Sequence, residues 1–195
     1  IDSDGLDTTP IDANVENIDA GDVVSFAVVV ENVGSSPNGA FDVTISDTIP
    51  DGFSIPGGGL NFNVTDGTGG AISFSGTAAD FFTPAGITLD DGATGALDVY
   101  NGTSGTNLVV ITYDLVADND VTSGDTIVNT STVSNYAAVE GGIDRTPTDL
   151  TDDASATVSD VEITKTLQSR EFGSGEAADE VLVGEEFTFR VRIDI

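Results

Sequence analysis

The sequence predicts an all-β protein built as an antiparallel β-sandwich. Short segments of alternating apolar and polar residues recur along the chain, separated by Gly, Asp, Asn, Ser or Pro, which is typical of half-buried antiparallel strands. No window of helical length has apolar residues at three-to-four spacing, and 23 glycines interrupt the chain. Several short strands joined by turn residues favour two packed sheets, so almost no helix is expected.

The segments with this pattern are the predicted strands. Their bounds are residues 23–31, 41–47, 60–64, 71–75, 108–116, 127–135 and 154–165. In three of them the apolar residues fall on one face at period two. These inward positions are Val24, Phe26, Val28 and Val30, then Phe41, Val43 and Ile45, then Val109, Ile111, Tyr113 and Leu115. We expect the three faces to form one core.

The composition argues against an enzyme. The 195 residues include no His, Cys, Met or Trp, so the groups that usually carry acid–base, thiol and transition-metal chemistry near neutral pH are missing. A carboxylate pair can hydrolyse glycosidic bonds, but it needs a sugar cleft that is normally lined with aromatic side chains. The chain has three Tyr and no Trp. The sequence therefore predicts a protein without catalytic activity.

The net charge restricts the partners that the chain can bind. It is -29, from 34 acidic and 5 basic residues, so nucleic acid and anionic lipid are disfavoured because no patch could neutralise phosphates. Such self-repulsion predicts that stability depends on salt or on bound divalent cations. The excess of Asp over Glu fits both a saline habitat and short carboxylates placed in loops to hold Ca²⁺, and both interpretations stay open.

The sequence has no run of about twenty apolar residues that could span a membrane, and its first residues lack the features of a signal peptide. We therefore expect any export signal or anchor to lie outside this sequence. Because the chain has no Cys, its stability must come from core burial, metal ions or other crosslinks.

An internal repetition indicates that the chain holds parts of two repeats. Residues 20–31 reappear in outline as residues 183–194, and Gly21 and Gly184 lie 163 positions apart. At this offset the inward apolar residues of the first segment correspond to apolar residues of the second, while the outward positions stay polar or variable. A new repeat is therefore expected to begin before residue 183.

The repetition divides the chain into two predicted parts. Residues 1–159 form one complete β-sandwich repeat with a Gly-rich insertion at about residues 57–106, and residues 160–195 supply the opening strands of a second repeat. A partial domain cannot bury its sheet face alone. Either the sequence was cut from a longer array, which is favoured, or its last strands complete a neighbouring subunit by strand exchange. The exchanging residues would be Phe187, Phe189, Val191 and Ile193.

Three strings, taken in order, resemble a family of surface domains. Residues 20–26, 43–53 and 128–133 are similar to the conserved-repeat surface domain of bacteria and archaea, called domain of unknown function eleven. The resemblance covers most of residues 15–195. It implies an immunoglobulin-like sandwich strung in long extracellular proteins, and hence a stalk, adhesin, fimbrial or surface-layer role at the cell surface.

The resemblance also draws attention to Lys165. Some related surface domains carry an autocatalytic Lys-to-Asn isopeptide crosslink, and residues 163–166 are similar to the strand that supplies such a lysine. Lys165 is the only lysine of the chain and belongs to the second repeat, so its Asn partner would lie beyond Ile195. The first repeat has no lysine for this bond. We therefore favour an ordinary strand residue, which an intact mass lower by one ammonia would contradict.

Two groups of acidic residues are candidate Ca²⁺ sites. Asp2, Asp4 and Asp7 surround a glycine that permits a sharp turn, so a loop could wrap oxygen ligands around the ion, although a solvated acidic terminus explains them equally well. The second group would repel itself unless a cation bridged it. Its members are Asp144, Asp149, Asp152, Asp153, Asp160 and Glu162. Both groups would lie at joints between repeats, which Ca²⁺ would stiffen.

Further residues have a structural and a functional interpretation. Asp118, Asp120 and Asp125 form a third acidic group, for which local turn hydrogen bonding is favoured over Ca²⁺. Three Asn match the N-glycosylation pattern, although chance matches are expected in so polar a chain. They are Asn63, Asn101 and Asn129. Phe81 and Phe82 could form an exposed contact patch for a partner, but capping of a core is favoured.

These features predict a structural extracellular repeat protein, stiffened by Ca²⁺, that forms part of a cell-surface stalk, fimbria or filament. Its partners would be neighbouring repeats or identical subunits. The alternative is a glycan- or protein-binding adhesin module whose recognition surface lies in the insertion at residues 57–106.

Overall fold

The structure is a computed structural model that describes residues 14–35, 37–93, 95–170 and 186–194. The chain divides into two compact units, Ile1–Val158 and Ser159–Ile195. Within the described residues the only helical element is a 3-10 turn at Asp80–Phe82. No helix in this part of the chain is long and apolar enough to cross a membrane.

Twelve strands are present in the described residues. In chain order they are β1 (Asn14–Ile18), β2 (Val23–Glu31), β3 (Phe41–Ser46), β4 (Phe53–Ser54), β5 (Asn63–Asp66), β6 (Phe74–Ser75), β7 (Ile87–Leu89), β8 (Leu108–Ala117), β9 (Thr126–Ala137), β10 (Leu150–Val158), β11 (Glu162–Arg170) and β12 (Phe187–Asp194). The first ten belong to the first unit and the last two to the second.

The first unit has a smaller sheet centred on β8. Its nine-residue ladder with β2 runs antiparallel from Val23, opposite Val116, to Glu31, opposite Leu108. On the other edge β8 pairs with β4 near its end and with β5 over its middle. Since β8 alternates between buried and half-buried residues, its inward face supplies one side of the core.

The larger sheet has the strand order β1-β10-β9-β3-β7-β6. β9 lies between β10 and β3, with antiparallel ladders to both. The pair β1 and β10 is parallel, starting with Asn14 opposite Ser155. With β2, β8 and β4 in one sheet and β3, β9 and β10 in the other, the strand arrangement is that of an immunoglobulin-like sandwich.

The predicted all-β fold is confirmed, with two corrections. The parallel pair of β1 and β10 departs from a purely antiparallel sandwich. The segment predicted as one strand over residues 154–165 is two strands, because residues 159–161 separate β10 from β11 and the two belong to different units. Apolar residues alternate on both sides of the break, but they shift by one position between Val158 and Val161, and the prediction overlooked this shift.

The core fills the space between the two sheets. Its fully buried side chains come from both sheets and from the connections between them. They are Val43, Ile45, Phe81, Ile87, Leu89, Leu97, Leu108, Val109, Ile111, Tyr113 and Leu115. The inward faces predicted for residues 41–47 and 108–116 are therefore the two sides of one core, whereas Phe26, Val28 and Val30 on β2 are only partly buried against it.

The predicted insertion at residues 57–106 is built into the sandwich. β5 extends the smaller sheet, and β6 and β7 extend the larger one. The 3-10 turn buries Phe81 completely, with its ring 5.6 Å from Tyr113 and 5.2 Å from Phe62 between centroids. Phe82 also packs edge-on against Tyr113. The two aromatic residues cap the core, as the favoured interpretation predicted.

The second unit is a β-hairpin of β11 and β12. Its antiparallel register places Lys165 opposite Val191 and Leu167 opposite Phe189. Opposed side chains share a face, and on this face the large apolar residues are about half exposed or more. They are Ile163, Leu167, Phe189, Val191 and Ile193. Within its own unit the hairpin therefore has an uncovered apolar face.

The buried position of Phe81 predicts a large effect on stability. Phe81→Ala should lower the free energy of unfolding by about 3–5 kcal/mol, because it removes a fully buried ring and leaves a cavity beside Tyr113. Tyr100→Ala is the matched control, since Tyr100 lies in the same insertion and is 46% exposed. It should change stability by less than about 1 kcal/mol. Urea unfolding measures both, and equal losses would contradict the capping role.

Candidate functional site: an edge groove and a buried polar cluster

β2 is an unprotected edge strand. Among the described residues it pairs with β8 and with no other strand, so its outer edge presents unpaired backbone groups. Between Asp22 and Glu31 the strand carries no charge and no proline. Its outward positions include Ala27 and Val29, so both faces are largely apolar. Natural edge strands usually carry charges, prolines or bulges that prevent pairing with another strand, whereas β2 has no charge or proline from Val23 to Val30 and no bulge in its ladder with β8.

A groove runs along this edge between the two sheets. One wall is formed by Phe26, Val28 and Val30 of β2, and the other by Ser131 and Val133 of β9 with Leu150 and Asp152 of β10. We call it the edge groove. Three cavities along the groove measure about 310, 140 and 240 Å³, and the third shares lining residues with each of the other two. The groove is therefore continuous along most of β2.

The second wall of the edge groove is also an open strand edge. On the edge of β10 away from β9, β1 pairs with Ser155 to Val158, and no described strand lies beside the preceding residues. Leu150 is 57% exposed there. The groove thus lies between two strand edges that are open over the same stretch.

A cluster of four polar side chains forms the floor of the edge groove. We define this polar cluster as Asp47, Tyr113, Asn129 and Ser131. The hydroxyl groups of Tyr113 and Ser131 each donate to Asp47 Oδ2 over 2.6 Å. Asn129 Nδ2 donates to Tyr113 Oη, also over 2.6 Å. Tyr113, Asn129 and Ser131 line the groove directly.

The chain positions these four residues from both sheets. Tyr113 is at an inward position of β8, and Asn129 and Ser131 are at alternate positions of β9. Asp47 follows β3, where its backbone N–H donates to the carbonyl of Phe81 and its Oδ1 accepts from the N–H of Thr48. The carboxylate is therefore fixed at the interface between the sheets.

Burial shifts the pKa values of two groups in the polar cluster, Asp47 and Tyr113. Asp47 is 2% exposed, and this loss of solvent raises the pKa of its carboxyl above the usual value, although the hydrogen bonds from Ser131 and Tyr113 oppose the shift. Burial and the neighbouring Asp47 also raise the pKa of Tyr113. Tyr113 therefore stays a neutral donor. A positive charge beside Asp47 would favour its ionised form.

One acceptor of the polar cluster has no donor. The proton of Tyr113 Oη goes to Asp47, so Tyr113 must accept from the amide nitrogen of Asn129. This orientation leaves Asn129 Oδ1 buried and without a hydrogen-bond partner. Asn129 is 5% exposed, and an unsatisfied buried acceptor costs about 1–3 kcal/mol. The cluster can therefore accept a hydrogen bond from a donor placed in the edge groove.

Aromatic rings connect the groove wall to the polar cluster. The ring of Phe26 stacks on Tyr113 with a centroid distance of 5.5 Å and an interplanar angle of 13°. Phe53 meets the same Phe26 ring edge-on at 5.7 Å. The exposed side of Phe26 thus offers a ring face close to the hydroxyl of Tyr113, and ring faces attract cations.

The structure does not assemble the predicted acidic cluster within the first unit. Asp144 accepts hydrogen bonds from the backbone and side chain of Thr146 in its own loop. Asp152 and Asp153 are successive residues of β10, and successive side chains of a strand point to opposite faces. Asp149 is exposed just before β10. Across the described residues, no group of three or more carboxylates could hold a metal ion.

The other predicted metal ligands have separate outcomes. Asp160 and Glu162 belong to the second unit, and Asp2, Asp4 and Asp7 lie outside the described residues. A Ca²⁺ site at the last three stays a prediction. In the third acidic group, Asp125 accepts from the backbone of Thr122 and Asp118 accepts from Ser54. Asp120 is exposed nearby. The local turn hydrogen bonding that was favoured is therefore present at Asp125, whereas the bond of Asp118 joins it to a residue 64 positions away.

The glycosylation and crosslinking candidates also differ in their surroundings. Asn63 and Asn101 are exposed and stay predicted acceptors. Asn129 is wrong as an acceptor site in the folded protein because it is buried in the polar cluster. Lys165 extends over the ring of Phe189, with Nζ 4.2 Å from the centroid. The ordinary strand residue stays the favoured prediction for Lys165.

Sequence reasoning missed the polar cluster, although a signal was present. The inward-facing positions of β9 are the alternate residues 127, 129, 131 and 133. Two of them, Asn129 and Ser131, are polar where the alternating pattern predicts apolar residues. Buried polar residues normally have partners. The two positions therefore indicated a buried polar partner on a facing strand.

The raised pKa of Asp47 predicts a distinctive pH dependence. Because the pKa is higher in the folded state, the contribution of Asp47 to stability is fully present below pH 3.8 and is lost as pH rises through the folded pKa. The free energy of unfolding of the natural protein minus that of Asp47→Asn should therefore fall as pH rises above 3.8. Urea unfolding from about pH 3 to about pH 7 measures this difference.

Asp114→Asn is the control with the opposite sign. Hydrogen bonds from Ser25 and Asn61 lower the pKa of Asp114, so its contribution is present above pH 3.8 and is lost as pH falls. The two differences in the free energy of unfolding, natural protein minus variant, should therefore change with pH in opposite directions. Slopes of the same sign would show that Asp47 is not destabilised by burial.

No protein-family model and no curated protein matches the chain. Among solved structures, the pilus backbone protein RrgB from Streptococcus pneumoniae matches with a TM-score of 0.47 and 20% identity, over 68% of this chain and 48% of that one. The T6 backbone pilin of Streptococcus pyogenes matches at 0.43 and 15%, over 76% and 33%.

A third match is the C-terminal domain of the Streptococcus agalactiae polypeptide BspA, with a TM-score of 0.40 and 11% identity, over 92% of this chain and 56% of that one. The chain thus spans about half or less of the first two structures and little more than half of the third. At such TM-scores and identities the likeness does not extend to function.

Proposed function

We propose that the chain is a structural segment of an extracellular repeat protein, part of a stalk, fimbria or filament at a cell surface. The observation that supports this most directly is the hairpin of β11 and β12. Its second strand has the pattern of β2, yet Leu167, Phe189 and Val191 are about half exposed. A two-stranded sheet with an uncovered apolar face needs further sheet to be stable. The chain is therefore suited to joining other units of the same kind.

The construction of the first unit is consistent with a structural role. The long ladder between β2 and β8 and the hydrogen bond from Tyr113 to Asp47 connect its parts without disulfides. The composition supports the same conclusion, because a chain without His or Cys lacks the usual catalytic groups. A surface with so large an excess of carboxylates suits exposure to water rather than contact with polyanions.

The alternative function, a glycan- or protein-binding module, has less support. Its proposed recognition surface was the insertion at residues 57–106, whose paired aromatic residues pack on Tyr113. Tyr100 is the exposed aromatic residue of this segment. One half-exposed ring is a small platform for a sugar, and the insertion contributes mainly to the core.

Surface labelling tests the proposed function. Antibodies raised against the folded chain should label intact cells of the source organism along extended surface structures, as seen by electron microscopy. The chain should give no specific signal on a glycan array. Labelling only after the cells are opened would contradict the extracellular assignment. A saturable glycan signal that Tyr100→Ala abolishes would favour the binding module.

The net charge predicts how salt and Ca²⁺ affect stability. With a charge of -29, the melting temperature should rise with NaCl because the salt screens repulsion between carboxylates. If Ca²⁺ also stiffens the joints, a chelator should lower the melting temperature at constant ionic strength, and Asp2→Asn with Asp4→Asn should remove that effect. A melting temperature unchanged by chelator at low and high NaCl would exclude the Ca²⁺ sites. Differential scanning calorimetry measures both effects.

A further inference from the structure

We propose that the edge groove of one copy receives strand β11 of a second copy, antiparallel to β2, with Lys165 above the polar cluster. This inference rests on the proposed structural function and names the partner surface through which copies would join. The edge groove is the acceptor and β11 is the donor.

The chain itself contains a template for the docked strand. β12 repeats β2 at the offset of 163 residues, so Phe189, Val191 and Ile193 correspond to Phe26, Val28 and Val30. In the hairpin, the edge of β12 is filled by β11. The equivalent edge of β2 has no described strand beside it. A strand with the pattern of β11 is therefore the natural occupant of the open edge.

The register of the hairpin specifies the contacts of the docked strand. Lys165 is opposite Val191 and Leu167 is opposite Phe189. Transferred to β2 by the same offset, Lys165 lies opposite Val28 and Leu167 opposite Phe26. By the same transfer, Ile163 lies opposite Val30. Two of the three inward side chains are apolar and enter an apolar groove, and the third is a cation.

In the docked strand, the ammonium group of Lys165 would lie where the polar cluster lacks a hydrogen-bond donor and a positive charge. Lys165 lies over the ring of Phe189 in the hairpin, so in the docked strand it would lie over Phe26. The Phe26 ring stacks on Tyr113, whose hydroxyl contacts both Asp47 and Asn129. An ammonium group there can donate to Asn129 Oδ1, which has no partner, and can compensate the buried carboxyl.

The first residues of the same chain are a poorer occupant. At the same offset, Asp2 would lie opposite Val28 and Asp4 opposite Phe26. Two more carboxylates would then face a groove that already contains Asp47 on its floor and Asp152 on its wall. Burying unpaired like charges is costly, so these residues do not fit this register.

The local charge of the donor strand also suits this acceptor. β11 carries Lys165 and Arg170 against one carboxylate, Glu162, whereas the first unit has a single basic residue, Arg145. The donor strand of one copy therefore suits the acidic edge groove of another. β11 would exchange one antiparallel ladder, with β12, for an equivalent one with β2, so the backbone hydrogen bonds are conserved.

Disulfide trapping tests the predicted register, and the absence of native Cys makes it specific. Thr166 is opposite Arg190 in the hairpin, so in the docked pair it would lie opposite Ala27. Opposed residues on neighbouring strands have Cβ atoms about 5 Å apart, close to disulfide distance. A mixture of full-length Ala27→Cys and Thr166→Cys chains should form a crosslinked heterodimer under mild oxidation.

The matched control is a mixture of Val23→Cys and Thr166→Cys chains. The cysteine at position 23 lies on the same strand as position 27 but four residues away from it, so it is out of register with position 166. This mixture should give little heterodimer. Equal crosslinking in both mixtures, or none in the Ala27 mixture, would overturn the proposed docking. The second result would leave the surface-labelling test of the structural function unaffected, so the two proposals can fail separately.

Sedimentation tests the role of Lys165. The natural chain should show concentration-dependent association, and Lys165→Gln should weaken it about tenfold, the effect of losing hydrogen bonds to a charged group. Arg190→Gln removes the same charge from the opposite face of the hairpin and should change association by less than about threefold. Equal effects of the two substitutions, or a natural chain that stays monomeric at all concentrations, would overturn the inference.

Discussion

The structure depends on the hydrogen bond from Tyr113 to Asp47. Tyr113 belongs to the smaller sheet and Asp47 directly follows β3 of the larger one, so the bond joins the two halves of the sandwich inside the core. Phe26, Phe81 and Phe82 all pack on the Tyr113 ring. A buried carboxylate is tolerated only with hydrogen bonds, which fixes the distance between the end of β3 and the middle of β8.

The sandwich is well packed on one side of this bond and open on the other. The insertion closes the side of Phe81, where β5, β6 and β7 extend both sheets. On the opposite side the sheets end at β2 and at the first half of β10, and the polar cluster lies close to the gap between them. The unsatisfied oxygen of Asn129 is therefore at the open side, where a further strand can reach it.

The sequence predicted the fold because period-two patterns are local. The inward residues of β3 and β8 were identified correctly, since each pattern needs only neighbouring residues. The parallel pairing of β1 was missed because Asn14–Ile18 has no clear alternation and its partner is far along the chain. Predicting the polar cluster required knowing that β8 faces β9 across the core, which the pattern of a single strand does not contain. The surroundings of the acidic groups depend on loop geometry in the same way, since Asp144 and Asp125 accept hydrogen bonds from their own turns.

The outward-facing residues of β2 and β12 differ, and the difference concerns whether each strand suits a neighbouring strand on its open edge. Both have apolar inward faces, but β12 carries Arg190 and Arg192 at outward positions where β2 has Ala27 and Val29. Outward charges hinder unwanted pairing of a strand, and their absence is typical of a strand inside a sheet. β2 therefore has the sequence of an interior strand in the position of an edge strand. Its composition suits a neighbour on the open side, and that neighbour must fit between the Val28 wall and the Asp152 wall of the edge groove.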